Sequence, residues 1–288
     1  MIIESVIFGI IAAGGWGISD LLTAAISRKL GILRTVVNVH LVAAIICSFY
    51  IIVLDGFPEI TLAHWVDLTL LSGLGFVTYI FFYKALQSEQ VGLISPIVAS
   101  YSVVVIVLSV VFLGERLNVV QVIGASGTVI GVILLSCGSD STVHRKFTIS
   151  SGVIFGVVAM IGIGVWQYFI ALLSRDLGWF IPVYVNRVIM LFMFAFTSGL
   201  TKTVPWRKFS LSLWMGVILI AVAETAGLFA FSRGAEIGTI SLVAASSTTY
   251  PIIPIMGGIL LFNERMGARQ IFGVILTIVG LTVLLSVY

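Results

Sequence analysis

Long runs of apolar residues, separated by short polar breaks, fill almost the whole chain. Each run is close to the roughly 20 residues that a helix needs to cross a hydrocarbon core of about 30 Å. Backbone polar groups cannot stay unsatisfied in lipid, so continuous runs of this length predict helices and not alternating barrel strands. The ten predicted transmembrane helices cover residues 5–25, 33–54, 65–85, 91–113, 118–138, 150–173, 179–200, 210–231, 239–262 and 267–287.

Two halves of the chain resemble each other. We predict a first five-helix repeat at residues 1–138, a connecting loop at 139–149 and a second five-helix repeat at 150–288. Apolar helices look alike by chance, so the weight lies on shared charged, tyrosine and glycine positions. These pairs are Lys84 with Arg233, Tyr101 with Tyr250, Glu115-Arg116 with Glu264-Arg265, Gln121 with Gln270, Gly124 with Gly273 and Gly131 with Gly280.

Five helices per repeat is an odd number, so we expect the second copy to lie upside down relative to the first. Inverted repeats are the usual construction of secondary carriers. Two nearly equivalent halves then give inward-open and outward-open states of similar energy. The predicted fold is an all-α integral membrane protein with ten transmembrane helices in two inverted five-helix repeats.

Composition agrees with lipid as the main solvent. Hydrophobic residues make up 60% of the 288 residues and charged residues only 9%, against about 25% charged in a typical soluble domain. The net charge is only +3 and the basic residues are scattered along the chain, which argues against a nucleic-acid partner. Cys47 and Cys137 lie far apart and without metal-ligand spacing, so we predict two small apolar side chains and no metal or other cofactor.

Three short motifs carry a resemblance to a known family: Trp16-Gly17 in the first predicted helix, and the turns Gly114-Glu115-Arg116 and Asn263-Glu264-Arg265. With the rest of the chain, they resemble the EamA-type carriers of the drug/metabolite transporter superfamily. The resemblance implies ten helices in a five-plus-five duplication. It also implies export or exchange of amino acids, nucleobases, drugs or other small solutes without a bound cofactor. Ile163 stands where the first half has Trp16, so the motifs do not specify the solute.

Ionisable residues inside a membrane helix are costly and mark candidate functional sites. His40, Arg187 and Glu224 each fall within about 5 Å of the predicted midplane, at 1.5 Å per residue. Arg187 and Glu224 form either a structural ion pair or the wall of a central aqueous cavity. In the cavity, Arg187 would donate to a solute carboxylate or phosphate. Glu224 would hold a substrate amine or a coupling proton. His40 is either a packing histidine or a third member of this site.

Uncharged polar side chains extend the candidate substrate-binding site. Asn38 and Asn186 are deep enough to hydrogen-bond either a solute or a neighbouring helix. Trp16, Tyr101 and Tyr250 are predicted cavity walls, because their polar handles need partners away from lipid. Asp20 and Gln167 align across the repeat near the far ends of their predicted helices, where a polar residue at the membrane interface is favoured over a functional role.

The ninth predicted helix holds the most polar stretch of any helix, and we predict a gate or hinge there. Pro251 and Pro254 remove backbone donors within one turn of each other. Ser246 and Thr249 supply hydroxyl groups that are useful beside a water-filled cavity, although such groups often bond back to their own helix. Pro96 in the fourth helix lies near the corresponding level and joins the predicted gate.

A secondary transporter of a small polar metabolite is the leading functional hypothesis. The alternatives are a channel or lipid scramblase and, less favoured, an intramembrane enzyme. HExxH, GxSxG and GxxxxGK[ST] motifs do not occur in the sequence, which disfavours zinc, serine-hydrolase and nucleotide chemistry. The expected partners are a small-molecule solute, the bilayer and, as an open question, a coupling proton. A monomer contains both halves and is sufficient, and a dimer is not excluded.

Basic residues in short loops favour the cytoplasmic side. Eleven of the fifteen Lys and Arg residues fall in or beside the odd-numbered loops, three fall in the even-numbered ones, and Arg187 lies inside a helix. This bias predicts a multi-pass protein of the cell membrane with both termini outside.

Overall fold

The computed structural model describes residues 2–51, 58–114, 119–136, 150–203, 209–264 and 266–285. The regular elements within these ranges are all α-helices. They are α1 (Ile2–Leu30), α2 (Ile32–Ile51), α3 (Leu62–Ser88), α4 (Val91–Ala99), α5 (Tyr101–Leu113), α6 (Val119–Ser136), α7 (Ser151–Leu177), α8 (Phe180–Leu200), α9 (Leu211–Ile237), α10 (Ile240–Ser247), α11 (Ile252–Phe262) and α12 (Ala268–Leu285).

Eight helical segments of the described residues are long and apolar enough to cross a membrane. Two of these segments are built from two helices each: α4 with α5 over Val91–Leu113, and α10 with α11 over Ile240–Phe262. The remaining two predicted helices correspond to α6 and α12, whose apolar stretches are shorter, at Val122–Gly131 and Ile271–Gly280. The predicted all-helical, multi-pass architecture is therefore confirmed, whereas the predicted connecting loop at 139–149 lies outside the described residues.

Several helices extend beyond the predicted apolar runs. The first continues through its basic residues to Leu30 and ends where Gly31 adopts a φ of +83°. Basic side chains near a helix C-terminus interact favourably with the helix dipole, so they do not stop the helix. Helix α7 reaches Leu177, and helix α9 reaches Ile237. Residues placed near helix ends by the sequence pattern consequently lie deeper within their helices.

Repeat-related arginines make the same contact in both halves. Arg28, near the end of α1, donates from Nη2 to two backbone carbonyls at the end of α3, at 3.1 and 2.7 Å. Arg175, near the end of α7, donates to two carbonyls at the end of α9, at 3.2 and 2.9 Å. Sequence alignment of the halves pairs these acceptors with each other: Leu86 with Ala235, and Glu89 with Gly238.

Contacts between the halves form the centre of the bundle. Helix α1 packs against α9, α3 against α7, and α6 against α12. Small residues allow these close approaches. A Cβ atom added at Gly227 would lie 2.8 Å from the Trp16 ring on α1. Added at Gly131 or at Gly280, it would lie 2.6 Å from a backbone nitrogen of the facing helix. The two halves are thus interlocked and do not form separate domains.

One of the family-like turns also joins the halves. Glu264 accepts hydrogen bonds from the backbone amides of Val91 and Gly92, at 2.9 and 3.0 Å. These amides are at the N-terminus of α4, where helix amides lack internal partners and a negative charge is favourable. Glu264 therefore caps a helix of the other half. In the corresponding turn of the first half, residues 115–118 lie outside the described residues.

Candidate functional site

A cavity lies between the two halves at the centre of the bundle. Its volume open to water molecules is about 60 Å³, which is room for a few waters at roughly 10–15 Å³ each. A larger solute can enter only if neighbouring side chains move apart. The wall consists of Trp16, Ser19, Asp20, Thr23, Tyr79, Phe82, Tyr83, Val98 and Tyr101 from the first half, and Ile163, Trp166, Gln167, Glu224, Leu228 and Tyr250 from the second.

Helical spacing explains why these residues share a wall. On α1 the lining positions 16, 19, 20 and 23 include pairs three residues apart (16/19 and 20/23) and four residues apart (16/20 and 19/23), which places them on one helix face. The same spacing relates 79, 82 and 83 on α3 and 163, 166 and 167 on α7. The face of α1 that carries the family-like Trp16 is therefore the face that lines the cavity.

Arg187 and Glu224 form a buried ion pair beside the cavity. Arg187 Nη2 lies 3.0 Å from Glu224 Oε1, and their side chains are 1% and 8% exposed. The Tyr79 hydroxyl donates to the same carboxylate oxygen. Glu224 belongs to the cavity wall, whereas Arg187 lies behind it. The structure therefore contains the ion pair that was one of the two possibilities from the sequence. Glu224 also lines the cavity, as the other possibility requires.

His40 supports the arginine from outside the wall. Its Nδ1 atom is 2.9 Å from the carbonyl oxygen of Val36, so Nδ1 carries the hydrogen, because a carbonyl only accepts. Nε2 is then the acceptor and lies 3.4 Å from Arg187 Nη1. The imidazole ring packs between Tyr79 and Phe194, with ring centroids 5.6 and 5.3 Å away. This geometry orients the guanidinium towards Glu224.

The aromatic residues predicted for the cavity all lie in its wall. The ring of Trp16 meets those of Tyr101 and Tyr250 edge to face, at centroid distances of 6.0 and 6.4 Å. The Tyr101 hydroxyl is 2.5 Å from Ser247 Oγ, and the Tyr250 hydroxyl donates to the Ser95 carbonyl at 3.1 Å. Each tyrosine therefore bonds to the broken membrane segment of the opposite half.

The first broken segment is interrupted beside Tyr101. Helix α4 ends at Ala99, and Ser100, with a ψ of 0°, separates it from α5. Pro96 lies inside α4 and does not itself end the helix. Its carbonyl oxygen accepts a hydrogen bond from the Ser100 hydroxyl at 3.0 Å. The interruption thus follows the predicted hinge residue by one turn.

The second interruption covers residues 248–251, between α10 and α11. Pro251 is the N-cap of α11 and Pro254 lies in its first turn, where a missing backbone donor costs little. Ser246 bonds back to a carbonyl one turn earlier at 2.8 Å, and Thr249 bonds to the Ser246 carbonyl at 3.3 Å. These hydroxyls satisfy their own helix, and only Tyr250 of this stretch lines the cavity.

The two deep asparagines bond to protein groups and are not part of the wall. Asn38 Nδ2 donates to the Arg34 carbonyl of its own helix at 2.7 Å. Asn186 Nδ2 donates to Ser72 Oγ on α3 at 3.1 Å. Asn186 therefore contacts a neighbouring helix, which is one of the two roles predicted from the sequence, whereas this bond of Asn38 lies within its own helix.

Two wall residues were placed elsewhere by the sequence pattern. Asp20 and Gln167 were expected at the membrane interface, but both are buried and line the cavity. The reason is helix length: α1 continues to Leu30 and α7 to Leu177, which moves both residues away from the helix ends. A usable signal existed in the sequence, since Asp20 follows Trp16 by four residues and so shares its helix face.

Comparison with known proteins now identifies the family. The chain matches the EamA-like transporter family twice, over residues 4–137 and 150–286. The chain belongs to this family. This EamA-like protein is also similar to a protein of known crystal structure, with 14% sequence identity, a TM-score of 0.75 and 99% of each chain covered, which shows a shared fold. No curated protein sequence matches the chain.

Family membership confirms the resemblance inferred from the sequence. It makes the chain a multi-pass membrane protein of a transporter family in the drug/metabolite transporter superfamily. The cavity, the ion pair and the two broken segments are then the parts of this EamA-like protein from which a transport mechanism can be proposed.

Proposed function

We propose that this EamA-like protein is a secondary transporter that moves a small polar solute through its central cavity by alternating access. It acts as an exporter or an exchanger. The observation that carries the proposal is the position of the cavity: both halves line it, and both broken membrane segments contribute to its wall. Irregular backbone is tolerated in a membrane protein where it borders a cavity, and broken helices at the repeat interface form the binding sites of many carriers.

In this proposal the chain has ten transmembrane helices in two inverted repeats of five. The matching contacts of Arg28 and Arg175 support it, because each arginine donates to a carbonyl at the corresponding helix end of its own half. The reciprocal packing of α1 on α9 and of α7 on α3 supports it further. If the two repeats exchange their conformations, the inward-open and outward-open states have comparable energy.

The gates in this mechanism are the two broken segments. Tyr101 and Tyr250 each bond across to the opposite segment, so the two interruptions move as a linked pair. Breaking one bond while keeping the other would open the cavity to one side. The prolines Pro96, Pro251 and Pro254 lie next to the interruptions: Pro96 removes a backbone donor inside α4, and Pro251 and Pro254 lie at the start of α11, where no helix hydrogen bond is lost.

The ion pair links solute occupancy to these movements. Arg187 neutralises Glu224 while the cavity is empty, and Tyr79 and His40 hold the two partners in place. A polar solute group or a proton that reaches Glu224 competes with Arg187 for the carboxylate. In this proposal the protein lies in the cell membrane with both termini outside. It works as a monomer, because one chain contains both halves.

Transport by purified protein in lipid vesicles tests the proposal. Uptake of radiolabelled amino acids, amines and nucleobases should reveal at least one solute whose flux saturates and is stimulated by the same solute on the other side. Arg187→Gln should abolish that flux while leaving the protein in the membrane. The matched control is Arg233→Gln, which removes an arginine from a partly exposed pair with Glu236 and should transport normally.

Flux that rises linearly with concentration, without stimulation from the other side, would indicate a channel. Movement of lipid headgroups without solute exchange would indicate a scramblase. Normal exchange by Arg187→Gln would contradict the role assigned to the ion pair.

A further inference from the structure

We propose that the solute of this site is a small monovalent organic cation, a protonated amine whose ammonium group binds against Asp20. The inference rests on the proposed transport function and specifies the substrate class of the same cavity. Asp20, Gln167 and the aromatic part of the wall carry it.

Asp20 is a buried carboxylate without a cationic partner among the described residues. It is 6% exposed and forms part of the cavity wall. Its hydrogen bond there comes from the Ser95 hydroxyl at 3.4 Å, near the long limit for such a bond. Burying an unpaired charge is costly. Without a cation such a carboxylate is neutralised by a proton, and a positive group in the cavity can replace that proton by pairing with the ionised form.

The charge balance of the wall gives the sign and the size of the solute charge. Among the described residues, the wall contains two carboxylates, Asp20 and Glu224, and no Lys, Arg or His. Arg187, directly behind the wall, compensates Glu224 at 3.0 Å. When Asp20 is ionised, one negative charge remains, and a solute with a single positive charge neutralises it.

A second acceptor faces the same space from the opposite half. Gln167 occupies the repeat position of Asp20, is buried in the wall, and its Oε1 atom has no hydrogen-bond partner among the described residues. Buried acceptors are rarely left without a donor. A protonated amine has several N–H donors, so it can bond to Asp20 and to Gln167 at the same time. This requirement favours an amine over a cation that lacks N–H groups.

The rest of the wall suits the organic part of such a cation. Seven of its fifteen residues are aromatic, among them Trp16, Tyr101 and Trp166. Aromatic faces attract cations, more strongly when water is excluded, and their carbon surface accommodates alkyl groups. Anions and zwitterions are disfavoured, because the wall offers their carboxylate no cation.

Binding of three compounds that share a branched four-carbon group tests the proposal. Isobutylamine carries this group as a cation, valine carries it as a zwitterion, and isovalerate carries it as an anion. Each is titrated calorimetrically into the purified full-length protein in detergent. Isobutylamine should bind at least tenfold more tightly than the other two.

Two variants separate loss of the site from loss of the fold. Asp20→Asn should weaken isobutylamine binding by about 30-fold or more, the lower range for removing one partner of a buried charge pair. Asp176→Asn is the matched control, since Asp176 is exposed at the end of α7, and it should bind like the wild type. Asp20→Glu keeps the charge and should retain part of the affinity, which shows that the site is still folded.

Equal or tighter binding of valine or isovalerate would overturn the proposal, as would unchanged isobutylamine affinity in Asp20→Asn or no isobutylamine binding at all. These results leave the transport function separately testable. A protein that exchanges a zwitterion or a neutral solute across vesicles, and loses exchange in Arg187→Gln, is still a carrier. A protein that exchanges nothing loses both proposals.

Discussion

Breaking the ion pair between Arg187 and Glu224 should have different effects on stability and on transport. Changing either residue alone to Gln leaves the other charge uncompensated in a buried position, with only 1% or 8% of the side chain exposed. The cost of such a loss is about 3–5 kcal/mol. His40 can accept from Arg187 but carries no compensating negative charge. Each single variant should therefore be strongly destabilised.

The double variant with Gln at both positions buries no unpaired charge, and its two amides can hydrogen-bond to each other. The double variant should regain most of the stability that each single variant loses, so that the two changes are strongly non-additive. Thermal melting of the detergent-solubilised protein measures this. We expect a fall of about 10 °C for each single variant, an order-of-magnitude figure from the free-energy cost. The double variant should melt within a few degrees of the wild type.

Transport should not recover in the double variant, because Glu224 lines the cavity and its proposed role needs the carboxylate. The partly exposed pair Arg233 and Glu236 provides the control cycle, since its side chains are 43% and 25% exposed and surface pairs contribute about 0–1 kcal/mol. Additive losses in the buried cycle would refute the coupling. Normal transport by the double variant would refute a role for Glu224 and leave the pair purely structural.

Three further substitutions probe the surroundings of the site. Tyr79→Phe keeps the ring but removes the hydroxyl that donates to the carboxylate of the ion pair, so the free energy of unfolding should fall by about 1–3 kcal/mol in denaturant titrations. Glu264→Gln removes the charge that caps α4 and should lower the melting temperature by the equivalent of about 1 kcal/mol; no change would exclude the cap. Gly227→Ala places a Cβ atom 2.8 Å from Trp16 and should slow transport and cost about 1–3 kcal/mol, whereas Gly199→Ala, with nothing within 4 Å, should be neutral.

The apolar pattern was sufficient for the architecture because membrane helices must satisfy their own backbone. It located the helices and the residues that need partners inside lipid. Arg187, Glu224, Trp16 and Tyr250 were all singled out for this reason, and all lie at or directly beside the cavity. The sequence alone is informative about polar and charged residues whose exposure to lipid would be too costly, because such residues must have partners inside the protein.

The pattern was less informative where contacts between helices decide. Asp20 was placed at the interface because charged residues near the end of α1 suggested a helix end, whereas the helix continues to Leu30. Asn186 could have bonded to a solute or to a neighbour, and only the packing of α3 on α8 shows Ser72 as its partner. Pro96 indicated the broken segment, but the interruption itself follows one turn later at Ser100.

Alternating exposure of the central cavity is the claim on which the account depends, and a single cysteine can test it. Ser19 lies in the wall and is 4% exposed, so Ser19→Cys is a small change at a buried position. Cys47 and Cys137 are first changed to Ser, and a membrane-impermeant thiol reagent is then applied from either side of oriented vesicles. The account predicts labelling from both sides, slowed by a transported solute. Labelling from neither side, or from one side only under every condition, would contradict it.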